Sequence, residues 1–209
     1  MKQYRITKIF ECRAGIGAEF ECDGKTESLK FLISVWSDEG LKKGLTVDER
    51  KMDGLRYLAE VSAATLRGQS MIASSDQSKK RLIMRLTAEG YSRDSAEDAA
   101  EIIADSGLID EDSQCERLCP EYVRYKNWGK KRVYAELIAK GYEKSAVLYG
   151  LSFITKEDWD EALYRLVQSK YKAPAEDKKE QDKRIAALMR LGHSTGDIIR
   201  TLKEVFENE

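Results

Sequence analysis

Three glycines at one fixed interval constrain the fold more than any other feature of this chain. Gly90, Gly141 and Gly192 are each 51 residues apart. Each glycine ends a basic amphipathic segment (KKRLIMRLTAEG, KKRVYAELIAKG or DKRIAALMRLG), and a leucine stands four residues before it. A period of this size is typical of arrays of helical units, because each unit buries its apolar face only by stacking on its neighbours.

The segment after each glycine has the periodicity of a helix. Apolar residues recur six, ten and thirteen positions past the glycine, and these offsets lie on one face of an α-helix. A glycine between two helices favours the left-handed backbone that ends the first of them. Ser92, Glu143 or Ser194 follows the turn, where it can cap the next helix. Each unit is therefore predicted to contain a helix–turn–helix.

A third helix is predicted ahead of each pair. These helices have apolar residues at three- and four-residue steps, and they cover residues 47–66, 113–126 and 157–171. Thr46 and Glu49 have the spacing of a capping box that opens the first of them, and GQSMIASSDQS is interpreted as a loop after it. In the second helix, Pro120 either bends the helix by removing a hydrogen bond or stands at its first position.

The N-terminal segment is β-rich instead. YRITKIFEC and AEFEC have the composition of strands, with turn signals at Ala14–Gly17 and at Asp23-Gly24. SLKFLISVW is a third strand, or a strand that runs into a helix, and the link from Asp38 to Gly44 is rich in turn residues. We expect a small hairpin or three-stranded sheet that packs on the helices, because it is too small to be stable alone.

These patterns predict a mainly α protein of tandem three-helix, helix–turn–helix-like repeats that form an elongated curved array. A composition with 35% charged residues and two prolines favours helices, and 42% hydrophobic residues are enough for a core. We assign the β segment and the three helical repeats to residues 1–45, 46–108, 109–156 and 157–209, respectively.

No catalytic or metal-binding constellation is visible, so we predict a protein that is not an enzyme and needs no cofactor. Cys115 and Cys119 would share a helix face, but with His193 as the one histidine and no second close cysteine pair, idle or buried thiols are favoured over zinc. His193 follows its glycine as Tyr91 and Tyr142 follow theirs, which indicates a packing and capping residue. Without a signal peptide or an apolar run of about 20 residues, we expect a cytoplasmic protein with reduced thiols and no membrane contact.

Charge is distributed unevenly, although the net charge is −1. Residues 94–112 hold eight acidic and no basic side chains, whereas residues 122–144 hold seven basic and two acidic ones. The basic repeat either contacts acidic protein surface or phosphate, or is a solvated face paired with the acidic stretch. The candidate binding residues are Arg124, Lys126, Lys130, Lys131, Arg132 and Lys140, with Lys80, Arg81, Lys183 and Arg184 at related positions of the other repeats.

Three aromatic residues, Tyr125, Trp128 and Tyr134, lie among these basic side chains. Aromatic rings interleaved with cations can stack on the bases of single-stranded nucleic acid. At helical spacing such rings more often pack in a core, and we favour the core for these three. For Lys80, Arg81, Lys183 and Arg184, ordinary surface pairing along a helix is the alternative to a binding role.

The second repeat resembles the RecX family of bacterial regulatory proteins. The resemblance is carried by Tyr122-Val123-Arg124, by the run from Trp128 to Val133, by Glu136-Leu137 and by Lys140-Gly141-Tyr142. The link Gly107-Leu108-Ile109-Asp110, the closing RLGHSTGDIIRTL and the β segment followed by GLKKG extend it over nearly the whole chain. The resemblance implies a non-catalytic protein that docks in the groove of the RecA filament on single-stranded DNA and restrains strand exchange and ATP turnover.

The partner implied by this resemblance is therefore RecA, in DNA repair, recombination and the SOS response, with weak direct DNA contact and a monomeric state. Members of the family are often more basic than this chain, which favours RecA binding over strong DNA binding. Two alternatives remain open. The first is a helix–turn–helix regulator that binds DNA directly, and the second is a helical scaffold for an unrelated protein.

Overall fold

The computed structural model describes residues 2–12 and 15–207, apart from the side chain of residue 207. They belong to two compact units, Met1–Ile109 and Asp110–Glu209. Along the chain the elements are β1 (Gln3–Cys12), β2 (Gly15–Cys22), β3 (Lys25–Phe31), α1 (Ile33–Asp38), β4 (Thr46–Asp48), α2 (Glu49–Ser74), α3 (Lys79–Ala88), α4 (Arg93–Asp105), α5 (Glu111–Lys126), α6 (Lys130–Ala139), α7 (Lys144–Ser152), α8 (Lys156–Lys170), α9 (Lys178–Arg190) and α10 (Thr195–Glu207). The predicted class, mainly α with a small N-terminal sheet, is confirmed.

The N-terminal sheet is antiparallel and its strands lie in the order β3-β2-β1-β4. It has one strand more than predicted, because β4 pairs with the start of β1 through Val47 and Tyr4. One face of the sheet packs on α2 in a cluster that includes Ile6, Phe20 and Leu55. The sheet is thus stabilised by burial against the first helix of the first repeat, as its small size requires.

Two local predictions about the N-terminal segment are corrected. The turn predicted at Ala14–Gly17 does not occupy Gly15–Gly17, which lie in β2, and Ala14 lies outside the described residues. The capping box is also wrong, because Thr46 lies in β4. Asp48 caps α2 instead, and its carboxylate accepts a hydrogen bond from the Lys51 amide at 2.8 Å.

Two helices run through residues that had indicated an interruption. The predicted loop GQSMIASSDQS is wrong for residues 68–74, because α2 continues to Ser74. Close packing favours glycine at position 68, since a Cβ atom there would lie 2.6 Å from the Cδ1 atom of Ile103 on α4 and that side chain would have to shift. Pro120 lies inside α5, which begins at Glu111, so it is not the first helical position and costs one helical hydrogen bond.

The 51-residue spacing corresponds to three copies of one backbone motif. Gly90, Gly141 and Gly192 have positive φ angles of 102°, 89° and 92°. In each copy the amide after the glycine donates to the carbonyl of the leucine four residues before the glycine, at 3.3, 3.2 and 3.4 Å. The glycine amide donates to the carbonyl three residues earlier in each copy. This is the Schellman arrangement, and it gives the leucine–glycine spacing its physical reason.

An apolar core lies in each repeat, and the core of the second repeat also includes Ala162 of α8. The first and third helices of each repeat pack on each other, α2 on α4, α5 on α7 and α8 on α10. The leucines before the three glycines are fully buried, as are the residues six positions past them. In the first two repeats a carboxylate of the first helix, Glu60 or Glu111, also accepts from the amide that opens the third helix, at 2.7 Å in both.

Candidate partner-binding site

The start of α6 is held by the turn between α9 and α10. The Gly129 amide donates to the Leu191 carbonyl at 2.8 Å, and the Lys131 amide donates to the Gly192 carbonyl at 3.3 Å. Neither glycine has room for a side chain, since a Cβ atom on Gly129 would lie 2.4 Å from the Gly192 carbonyl and one on Gly192 would lie 2.3 Å from the Arg132 amide. We call this contact the glycine junction, and it fixes the position of the basic first turn of α6.

His193 belongs to the glycine junction. Its side chain is buried, and its Nε2 atom lies 2.9 Å from the carbonyl oxygen of Asn127. Because that acceptor is a carbonyl, Nε2 carries the proton in this contact. Asn127 itself has a left-handed backbone at φ 49° and accepts from Arg165 through its side chain. His193 therefore packs and positions the end of α5, and burial lowers the pKa of its imidazole below the ordinary value of 6.5.

We expect acid to destabilise the unit that contains His193. The unfolded chain binds a proton at this imidazole more readily than the folded chain does, so the free energy of unfolding falls as the pH drops through about 6.5 toward the lowered folded pKa. Each unit of lowered pKa contributes at most about 1.4 kcal/mol to this loss. Urea unfolding at pH values above and below 6.5 measures it. The His193→Gln variant, which keeps a donor, is the control, and an equal loss in that variant would contradict this role.

Two rings and three cations from the second half of α5, the α5–α6 link, α6 and the residue after it form what we call the basic–aromatic patch: Tyr122, Lys126, Trp128, Arg132 and Lys140. The Tyr122 and Trp128 ring centroids lie 5.1 Å apart. Lys126 Nζ and the Arg132 guanidinium carbon lie 5.1 and 4.9 Å from the Trp128 centroid. Lys140 donates to the Tyr122 hydroxyl at 2.5 Å. Cations over a ring face are attracted by about 0.5–1 kcal/mol at exposed sites, so the rings hold these cations in place.

The basic side chains of the second repeat are available to a partner. Among the described residues no ion pair involves Arg124, Lys126, Lys130, Lys131 or Arg132, and all five are exposed. The acidic stretch before them has other partners, since Glu97 pairs with Arg93 and Glu101 pairs with Lys79. Pairing with that stretch therefore does not neutralise these five cations.

The aromatic residues divide between two environments. Tyr125 is 76% exposed, so its predicted place in the core is wrong. Trp128 and Tyr134 are partly buried against the core of the second repeat. The difference follows from helical phase, because Tyr122 and Val123 of α5 face that core and Tyr125 does not.

The candidate binding residues of the first and third repeats differ in how available they are to a partner. Arg184 is engaged inside its own unit, where its guanidinium lies 4.7 Å from the Tyr171 ring centroid, pairs with Glu180 and donates to the Ala173 carbonyl at 2.7 Å. Lys183, Lys80 and Arg81 are exposed. The structure therefore gathers Lys126, Arg132 and Lys140 around two rings, whereas Arg184 ties the α8–α9 loop to α9.

A cavity beside the first turn of α6 was not foreseen from the sequence. It has a volume of about 630 Å³, and Lys130 and Lys131 line it. Apolar side chains from two further helices, α7 and α8, contribute to its walls, among them Leu148, Trp159 and Leu163. No local pattern in the sequence predicts this cavity, since its walls come from the second and third repeats, which are distant along the chain.

The structure shows no other chemistry-bearing cluster in the part of the chain that it describes. Cys115 and Cys119 are buried, and burial raises the pKa values of their thiols to about 12 and about 11, so both stay protonated at neutral pH. Within residues 2–12 and 15–207 no three histidine, cysteine or acidic residues are grouped as metal ligands would be. None of the described helices combines the length and apolarity needed to cross a bilayer.

Two curated proteins are similar to this chain in sequence. The regulatory protein RecX of Clostridium perfringens is 23% identical over 145 residues, which cover 69% of this chain and 66% of that relative. The regulatory protein RecX of Clostridioides difficile is 22% identical over 176 residues, covering 82% of each chain. No family model matches the sequence.

Solved structures with a similar fold are also RecX proteins. A crystal structure of regulatory protein RecX superposes with a TM-score of 0.73 and 17% identity, covering 99% of this chain and all of that one. The chain resembles the RecX family. The crystal structure of RecX from Lactobacillus salivarius has a TM-score of 0.59 and 16% identity over 69% of this chain. The shared fold is thus that of RecX, and the RecX relatives, which are named as regulatory proteins and not as enzymes, support a regulatory role.

Proposed function

We propose that this protein binds the RecA filament on single-stranded DNA and inhibits its ATP hydrolysis and strand exchange, as a monomer in the cytoplasm. The observation that carries the proposal is the resemblance to RecX over most of the chain, in sequence and in fold. The basic side chains of the second repeat support it, because five exposed cations that form no ion pair with any described residue suit an acidic or phosphate-bearing surface.

The direct test is DNA-dependent ATP hydrolysis by RecA from the same organism. Single-stranded DNA is kept in excess and the protein is added at substoichiometric ratios. A falling rate of ATP hydrolysis, without competition for bare DNA at the same concentration, is the expected result. An unchanged rate in the presence of folded protein would refute the proposal and leave the scaffold role or direct DNA binding.

A second candidate function, direct DNA binding, is favoured by one observation. Trp128 lies between cations in the basic–aromatic patch, and stacking rings flanked by cations are common in proteins that bind single strands. A protein that neutralises about 5 phosphates shows a log–log dependence of affinity on salt with a slope near −4 to −5. A slope of that size for DNA alone, at affinities that account for the effect on RecA, would favour the direct DNA binder.

A further inference from the structure

The cavity beside α6 has an apolar interior with uncompensated positive charge at its lining. Leu151 and Leu163 are 4% and 1% exposed, whereas Leu148 is 47% exposed although it lines the same cavity. A volume of about 630 Å³ lies within the range of sites that enclose a ligand or a few side chains. Covering Leu148 would remove apolar surface from water, which favours a complex.

The charged lining residues divide into a neutralised set and a free set. Asp160 accepts from Lys156 at 2.9 Å and from Arg200 at 2.6 Å, and Asp197 accepts from Arg200 at 3.0 Å. Lys130 and Lys131 form no ion pair with any described residue. The cavity therefore offers two unpaired ammonium groups next to apolar walls, while its carboxylates are already balanced.

We propose that this cavity is a docking site for an acidic peptide segment of a partner protein, with one bulky apolar side chain seated between Leu148, Leu151 and Leu163. Carboxylates flanking that side chain pair with Lys130 and Lys131. The site shares Lys130 and Lys131 with the proposed RecA-binding surface, but the inference rests on the chemistry of the cavity and not on which protein supplies the segment.

A nucleic-acid strand fits the cavity less well than a peptide does. The inner walls contain aliphatic side chains, Leu151 and Leu163, which suit an apolar side chain better than the polar edges of a base. Asp160 and Asp197 also line the cavity. Their carboxylates can accept hydrogen bonds from the backbone amides of a peptide, a donor that the phosphodiester backbone of DNA lacks.

The test is fluorescence anisotropy with a short fluorescein-labelled peptide that has a Leu-Phe pair flanked by aspartates and glutamates. Two matched peptides replace either the Leu-Phe pair by Ser-Ser or the acidic residues by their amides. Only the parent peptide is expected to bind well, and its affinity should fall as salt is added. Equal binding of the Ser-Ser peptide, or tighter binding of a single-stranded oligonucleotide that displaces the parent peptide, would overturn the proposal.

Variants of the protein locate the binding. The double variant Lys130→Gln, Lys131→Gln is expected to bind the parent peptide with about tenfold lower affinity. Each of the two lost ion pairs is exposed and contributes roughly 0.7 kcal/mol. The Leu148→Glu variant should not bind the peptide. The neighbouring Tyr149 is similarly exposed, at 45%, but does not line the cavity, so the Tyr149→Glu variant should bind the peptide as the natural protein does. If Leu148→Glu binds the peptide normally, the cavity is not the site. Because no RecA is present, these results are independent of the ATP hydrolysis test.

Discussion

Replacing Lys130, Lys131 and Arg132 together by alanine is expected to raise the concentration needed to inhibit RecA about a hundredfold. The estimate takes roughly 1 kcal/mol for each cation that loses its intermolecular partner. Since none of the three forms an ion pair among the described residues, their removal leaves no buried charge behind. The stability of the protein should therefore change little, apart from the contact between Arg132 and the Trp128 ring, which contributes about 0.5–1 kcal/mol at an exposed site.

The matched control removes the same net charge elsewhere. Lys42, Lys43 and Lys178 are exposed, form no ion pair among the described residues and lie outside the second repeat. Their triple alanine variant should inhibit RecA as the natural protein does, because the interaction depends on where the cations lie. Similar losses in both variants would mean that only overall charge matters, and no loss in either would remove the basic first turn of α6 from the binding surface.

Gly192→Ala is expected to destabilise the unit Asp110–Glu209 by about 3 kcal/mol or more, the range of severe packing defects. Its Cβ atom would lie 2.3 Å from the Arg132 amide nitrogen and 2.7 Å from the Gly129 carbonyl oxygen, and neither backbone atom can move without breaking the glycine junction. The left-handed backbone of Gly192, at φ 92°, adds strain for any residue with a Cβ atom. Loss of inhibition of RecA should accompany the loss of stability, because the junction positions Lys131.

Gly90→Ala separates backbone strain from crowding. Gly90 is the equivalent residue of the first repeat and has φ 102°, but a Cβ atom on it meets nothing within 4 Å. We therefore expect a loss of only about 1–2 kcal/mol, the cost of a left-handed residue with a side chain. Urea unfolding of both variants, with amide hydrogen exchange to locate the weakened unit, measures the difference. Equal losses would show that the close approach at Gly192 relaxes without cost.

The sequence by itself determined the repeat and its internal architecture. Gly90, Gly141 and Gly192 could be recognised as helix ends because a left-handed residue with a leucine four positions earlier is a local motif, built from contacts within a few residues. The buried face of each third helix also followed from the sequence, since helical periodicity records which side of a helix meets the core. The resemblance to RecX rested on the order of these same short pieces.

Tertiary structure alone decided the features that depend on residues distant along the chain. Nothing near Gly68 indicates that Ile103 packs on it, so a helical glycine resembled a loop. The sequence around Gly129 does not indicate that the backbone of the α9–α10 turn packs against this glycine and accepts a hydrogen bond from the Lys131 amide. The cavity lies where that contact brings α6 beside helices of the third repeat. Local propensity and periodicity report on neighbours within a turn or two, whereas a site formed between repeats depends on how they pack.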